Sequence, residues 1–329
     1  MKLWVIVITG PLALQGRIMK AVCVYQYGGT SVLLFEEAPM PLCGPEDVLI
    51  RVIGSSVNPV DCMVREGKMQ GMLTYPMPVI PGWDVSGIVH AIGTKAGRFK
   101  VGDEVYSRPD ITRNGTYAEF VAVHEAYVAP KPRTVSHIEA GVLPLAGITA
   151  WEAIVTAGKV KAGQRVLIHA AAGGVGSLAV QIAKAHGAHV IGTASAERRG
   201  LVMSLGADEF IDYRSQRLQD AVSNVDLVLD TMGGDTQEAS WHVMAAGGLL
   251  VSIVSEPKQD LTRWPKLRGA FLFIQPNAAV LEQLAEMVES GKLRPVICAE
   301  FALHDIQRAH ALSETHHAAG KIALYVGQP

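Results

Sequence analysis

Val166-Leu-Ile-His-Ala-Ala-Ala-Gly-Gly-Val-Gly176 is the stretch that decides the fold. Set against the pattern G-x-G-x-x-G, it puts Ala171 at the first position and Gly173 and Gly176 at the other two. The apolar run Arg165–Ala170 before it reads as a strand. After it, Leu178, Ala179, Ile182 and Ala183 recur at helical spacing up to Gly187, a helix stop. Glycine at the second position lets backbone approach a pyrophosphate. Glycine at the last allows tight helix–strand packing, and the helix N-terminus offers free N–H groups and a positive dipole end. Alanine at the first position is a mild departure, small enough for the turn. The motif alone signals only a tight βα turn; its place after a strand and before a helix, inside a βαβ unit, is the confirming context. Ala171, Gly173, Gly174, Val175 and Gly176 are therefore expected to cradle a dinucleotide.

Further along, His189–Thr193, Asp226–Asp230 and Gly248–Val254 read as buried strands, with a helix around Glu197–Leu205 and an amphipathic one before residue 248. Strands alternating with helices indicate a parallel, doubly wound sheet. Upstream, from Met19 to about Val128, the texture is short β-like runs: Ala21–Tyr25, Asp47–Ile53, Val85–Ile92, Glu104–Ser107 and Tyr117–Val123. Gly28-Gly29, Gly44-Pro45, Pro81-Gly82 and Gly102-Asp103 punctuate them as turns, giving a β-rich unit. Toward the C-terminus, Val280, Leu281, Leu284, Met287 and Val288 mark a helix stopped at Gly291, and Ile322–Val326 reads as a strand.

Of the 329 residues, 49% are hydrophobic and 18% charged, which excludes an intrinsically disordered chain. Twenty-nine Lys and Arg against 31 Asp and Glu leave a net charge of −2, without the basic surplus that a nucleic-acid partner demands. Cys23, Cys43, Cys62 and Cys298 are scattered and form no C-x-x-C pair, so the chain reads as reduced and cytoplasmic. The apolar run Leu3–Ile8 is broken by Gly10-Pro11. It falls far short of the roughly 20 residues that span a bilayer. It also lacks a clear A-x-A cleavage site. Residues 1–18 read as an N-terminal extension, with Met19-Lys20-Ala21 opening the first strand and no membrane partner expected.

The second strand ends at Thr193, followed by Ala194 and Ser195 and then Arg198 and Arg199. An acidic residue there would grip the ribose hydroxyls of NAD; a neutral strand end with guanidinium groups nearby suits a 2′-phosphate. The expected cofactor is NADPH, although the same arginines would also fit a solvated helix face.

Asn58-Pro59-Val60-Asp61, Gly82-Trp83-Asp84-Val85-Ser86-Gly87, Leu145-Ala146-Gly147-Ile148-Thr149-Ala150 and Gly320-Lys321-Ile322 accompany the glycine turn in order. With them the chain resembles the medium-chain dehydrogenase/reductase superfamily, in its zinc-independent quinone oxidoreductase (zeta-crystallin-like) branch. The resemblance covers essentially Met19 to the end. It implies an α/β fold: a Rossmann doubly wound parallel sheet plus a GroES-like β-rich domain. The β-rich substrate domain would occupy 19–142, the NADPH-binding domain 143–275, and 276–329 would return to the first. Homodimerisation is implied as well. Asn58 would lie near nicotinamide and substrate, and Thr149 near the nicotinamide mononucleotide half. Ser195, Arg198 and Tyr213 would surround the 2′-phosphate, and Phe273, Gln275 and Lys321 would border the cleft. Turn chemistry before Pro59 is an alternative for Asn58, and helix packing for Thr149.

Zinc alcohol dehydrogenases of this superfamily carry a Cys where Asn58 stands and Gly-His-Glu where this chain has Gly82-Trp83-Asp84. Tryptophan cannot ligate a metal, and the eleven histidines are dispersed, so no metal is expected. Without a Lewis acid, an already electrophilic acceptor suits the site best: a quinone or an α,β-unsaturated carbonyl, whose reduced anion water protonates. Related reductases place a tyrosine after the glycine matching Gly67, where this chain has Lys68-Met69; Tyr75 is the nearest substitute proton donor. Met69, Met72 and Met77 of the same loop either shape an apolar acceptor site or simply pack. The rival readings are a zinc-type alcohol dehydrogenase and a non-catalytic NADPH-binding structural or regulatory protein.

Overall fold

The computed structural model describes residues 16–258, 260 and 262–327. Most of the expected N-terminal extension lies outside the described residues. The first strand, β1 (Ile18–Cys23), starts earlier than Ala21 and pairs antiparallel with β2 (Leu34–Pro39). Then follow β3 (Asp47–Val57), α1 (Pro59–Arg65), β4 (Val85–Ile92), β5 (Glu104–Ser107), β6 (Phe120–His124) and β7 (Val128–Pro130). Two short helices, α2 (His137–Gly141) and α3 (Pro144–Trp151), lead out of this β-rich region.

The alternating half runs β8 (Arg165–Ile168), α4 (Gly174–Ala185), β9 (His189–Ala194), α5 (Arg199–Ser204), β10 (Glu209–Asp212), α6 (Leu218–Ala221), β11 (Val225–Asp230), α7 (Gly234–Trp241), β12 (Met244–Ser252) and β13 (Arg268–Phe271). Its strands form one six-stranded sheet in the order β10-β9-β8-β11-β12-β13, with every pair parallel. Such a sheet is covered on both faces, and Val166, Leu167 and Ile168 of β8 are accordingly fully buried. The strand order reverses between β8 and β11, and the glycine turn leaves β8 at that switch point, where ligands of doubly wound sheets bind. The helix expected around Glu197–Leu205 is split into a 3-10 turn, Ala196–Arg198, and the short α5.

The chain closes with α8 (Ala278–Glu289), β14 (Ile297–Ala302), α9 (Ile306–Glu314) and β15 (Lys321–Tyr325). Strands β14 and β15 join β3, β4, β5, β6 and β7 in a seven-stranded sheet, β15 pairing antiparallel with β3 and β6 pairing with β3 as well. The return to this sheet begins later than residue 276. Val280, Leu281, Leu284, Met287 and Val288 of α8 share the hydrophobic cluster of α4 and β8. Periodicity found the helix but not its partner: its apolar stripe fits either core, and the contact is settled only in three dimensions. Gly291, at φ +72°, stops it as expected.

Candidate active site

The glycine turn folds tightly because side chains would collide there. A Cβ on Gly176 would stand 2.2 Å from the Ala170 carbonyl oxygen, and one on Gly174 would stand 2.8 Å from Cδ of Lys321. Ala171, at the first motif position, is fully buried, and its N–H donates to the Thr193 carbonyl at 2.9 Å. Gly173 is the extended residue before α4, and no side chain caps the helix N-terminus. Uncapped N–H groups and a bare backbone are what a pyrophosphate requires, so this chain's turn fits the dinucleotide implied by the sequence.

Lys321 links this turn to the β-rich half. It is only 5% exposed, its stem lies over Gly174, and its ammonium donates to Asn58 Oδ1 and, at 3.3 Å, to Asp84 Oδ2. Asn58 in turn donates from Nδ2 to Asp84 Oδ2 at 2.9 Å, and Ser56 Oγ donates to the same oxygen. Asp84 Oδ1 accepts the Leu145 backbone N–H at 2.6 Å, at the start of the helix that carries Thr149. A buried carboxylate is thus saturated by one ammonium, an amide, a hydroxyl and a backbone N–H, the pairing that burial demands.

Behind Asn58 lies a second buried network. Asp61 accepts the Asn58 backbone N–H at 2.7 Å and the Tyr117 hydroxyl at 2.9 Å, closing a capping box at the start of α1. Its other oxygen has no partner, and burial, reinforced by the neighbouring Asp84, pushes its pKa up to about 7. Tyr117 bonds His310 of α9 at 3.2 Å, and Arg65 ties α1 to α9 through Glu314. Burial holds His310 down to about 3, so it is a neutral imidazole.

At the other end of the turn, Ser195 is buried at the tip of β9, and its carbonyl accepts the Arg198 backbone N–H. Arg198 is exposed and Tyr213 is 56% exposed. Two details differ from the sequence reading. The Thr193 hydroxyl faces inward to Nδ1 of the buried His169, at 3.1 Å, rather than toward the strand tip. Arg199 is stacked 5.4 Å over the Phe210 ring, a contact that Arg198 does not make among the described residues. The charge of Arg198 reaches the thiol of Cys298, which bonds the Lys321 carbonyl.

Tyr75 is not placed as a proton donor. It is 7% exposed, and its hydroxyl donates to the Ile111 carbonyl at 2.8 Å. Burial raises its pKa, and its ring packs beside Trp83. Met69 is buried with it, while Met72 is exposed. The Thr149 hydroxyl donates to Leu145 O at 2.7 Å, the helix back-bond, with its other lone pair left to accept. Phe273 packs against the core of the β-rich half, and Gln275 beside it is exposed. The sequence reading left Asp61 unassigned and gave Asp84 no role beyond its place in the Gly82–Gly87 motif, where zinc enzymes carry glutamate. Residues 58, 84 and 321 meet through the β3–β4 and β3–β15 pairings, which no spacing announces.

Two family models match the chain: "Alcohol dehydrogenase GroES-like domain" over residues 44–133 and "Zinc-binding dehydrogenase" over 205–324. The chain is 36% identical over 318 residues to the NADPH-dependent alkenal/one oxidoreductase, chloroplastic, of Arabidopsis thaliana, covering 93% of this chain and 79% of the relative. It is 35% identical to the 2-methylene-furan-3-one reductase of Solanum lycopersicum, with 93% and 79% covered. Among solved structures, the quinone oxidoreductase from Coxiella burnetii superposes with a TM-score of 0.88 at 33% identity, covering 94% of this chain and all of that one.

Proposed function

The chain belongs to the medium-chain dehydrogenase/reductase superfamily, in its quinone-oxidoreductase branch, and from that premise we propose that it is an NADPH-dependent reductase delivering hydride to a quinone or an α,β-unsaturated carbonyl without zinc. The observation that carries the reading is Lys321, whose stem covers Gly174 while its ammonium holds Asn58 and Asp84. The residue that closes the cofactor turn also fixes the amide at the reaction site.

NADPH supplies the hydride when bound. Gly173, Gly174, Val175 and Gly176 present the α4 N-terminus to its pyrophosphate, and Ala171 lets the turn tighten. Ser195, Arg198 and Tyr213 take the 2′-phosphate, an arrangement supported by the exposed guanidinium of Arg198. Asn58 orients nicotinamide and acceptor, Thr149 accepts a hydrogen bond from the cofactor, and Phe273 and Gln275 border the cleft. Water protonates the reduced acceptor, since the Tyr75 hydroxyl is committed to Ile111.

The donor set does not suit zinc. An ammonium already neutralises Asp84, and the neighbouring side chain is the buried indole of Trp83. The edge strand β13, with Phe271 43% exposed, supports a homodimer built edge to edge. Four free thiols support a reducing, cytoplasmic setting, and among the described residues no helix is long and apolar enough to cross a membrane. Stopped-flow mixing of the NADPH-loaded protein with a panel of quinones and enones tests the reading. Oxidation of NADPH by at least one acceptor is expected; none across the panel overturns it. Stoichiometric zinc by elemental analysis, with activity lost to a chelator, would favour the alcohol dehydrogenase instead.

A further inference from the structure

Arg108 is a buried cation without an anion. It is 2% exposed, Nη1 donates to the Pro109 carbonyl at 3.2 Å, and Nε has no partner. Among the described residues no carboxylate lies within 4.0 Å of it. The other deeply buried arginine, Arg65, shows what a structural guanidinium looks like here: it bonds Glu66, Glu314, the Gly28 carbonyl and His310. An uncompensated buried charge costs several kcal/mol, so a fold keeps one where a ligand completes it.

Its position says which ligand. The β4–β5 register pairs Val85 with Ser107, so the next positions outward are Asp84 and Arg108. The register thus brings Arg108 level with the carboxylate that holds Lys321 and Asn58, at more than ion-pair distance. Asp84, Asp110, Asp61 and Tyr75 are the charged and titratable groups whose fields reach it, none in contact. Tyr75, one of those groups, is hydrogen-bonded to the carbonyl of Ile111, three residues beyond Arg108. A guanidinium at this place belongs with Asp84 and Tyr75 of the β-rich half rather than with the glycine turn.

Building on the reductase reading, we propose that Arg108 binds the carbonyl oxygen of the acceptor and holds the oxyanion that hydride transfer creates. Hydride adds to the β-carbon of the enone, the C=C electron pair moves to make the enolate, and the carbonyl oxygen takes the negative charge. A water proton then reaches the α-carbon, while NADPH leaves oxidised to NADP⁺. With a quinone the same oxygen becomes the hydroquinone anion. The acceptors are thus neutral carbonyl compounds whose oxygen sits two or more atoms from the carbon attacked. A preorganised donor aimed at a developing oxyanion accelerates reaction by about 100-fold or more.

Arg108→Gln, Arg108→Lys and Arg108→Met are compared with the wild type. For Arg108→Gln, kcat is expected to fall about 100-fold on both a neutral enone and a neutral quinone, with NADPH affinity unchanged; Arg108→Lys recovers part of it. Arg108→Met is expected to melt no lower than the wild type, because it removes an unpaired buried charge, whereas a structural arginine would lower the Tm. A readout independent of turnover is 4-nitrophenol. Bound to the wild type it should ionise at a lower pH than in water, and the shift should vanish in Arg108→Gln. Unchanged kcat and an unchanged nitrophenol titration in Arg108→Gln overturn the proposal. So does a KM effect confined to carboxylate-bearing acceptors, which would make Arg108 a substrate-charge anchor. An inactive wild type that still shifts 4-nitrophenol refutes the reductase reading and leaves the oxyanion site standing.

Discussion

Asn58, Asp84 and Lys321 act as one unit, and removing any member strands the others. In Asp84→Asn the Lys321 ammonium keeps its burial but loses its counter-charge, so the variant should lose about 3–5 kcal/mol of stability in urea unfolding, far above a typical substitution. Buried titratable groups also set the pH dependence. Burial holds His169 at about 4 and His310 at about 3, against 6.5 in the unfolded chain. Between those limits the unfolded chain binds more protons, so both histidines erode stability as pH falls from 6.5 toward 4. Asp61 runs the other way. Its proton, kept up to about 7 when folded and released near 3.8 when unfolded, makes stability fall as pH rises through the same window. Burial also depresses His90 and His137, so the histidines outweigh Asp61 and acidification through this window costs stability. Asp61→Asn should steepen that slope by about 1.4 kcal/mol per pH unit in denaturant titrations, and an unchanged slope would contradict the assignment. Of these residues the sequence made Asn58 and Lys321 visible through their motifs. Arg108 was invisible, because nothing in Ser107-Arg108-Pro109 says that the side chain is buried without a partner.

The βα turn was legible to the residue, since its chemistry is local: an apolar strand, bare backbone, then helical spacing. Its glycines are not equivalent, however. Gly176→Ala drives a methyl into the Ala170 backbone oxygen, which cannot yield, so it should cost more than about 2 kcal/mol and abolish NADPH binding. Gly174→Ala meets only the flexible stem of Lys321; it should fold near wild-type stability yet bind NADPH more weakly, as read by cofactor fluorescence. At the far end of the turn the spacing showed two arginines but not which is free. Arg198→Ala should weaken NADPH about 10–100-fold and leave NADH little changed, the value of a charge-assisted bond to phosphate. Arg199→Ala should alter neither much, because its guanidinium already rests on Phe210. Equal losses in both variants would remove the distinction. Strands such as β2, β13 and β14 escaped the sequence because each is short, half-exposed and without a strong alternating pattern.

Across the whole molecule, the division into a β-rich and an alternating half was readable from texture, while the way they join was not. Helix α8 belongs to the core of α4 and β8 yet accepts the Tyr106 hydroxyl of β5 at Leu281, so one hydrophobic cluster runs through both halves. Thermal unfolding should therefore be a single transition, with near- and far-ultraviolet circular dichroism superimposing; two resolved steps would show the halves to be independent. The pairing of β3 with β15 adds a constraint of time. Lys321 reaches an asparagine 263 positions earlier, so the β-rich half, first to leave the ribosome, is the last to be finished. A nascent chain can complete the parallel sheet and its nucleotide turn while β3 still lacks its neighbour. The Lys321 ammonium that ties the glycine turn to Asn58 and Asp84 arrives with the closing strand, so a chain interrupted before residue 321 has the turn without the buried network that fastens it to the β-rich half.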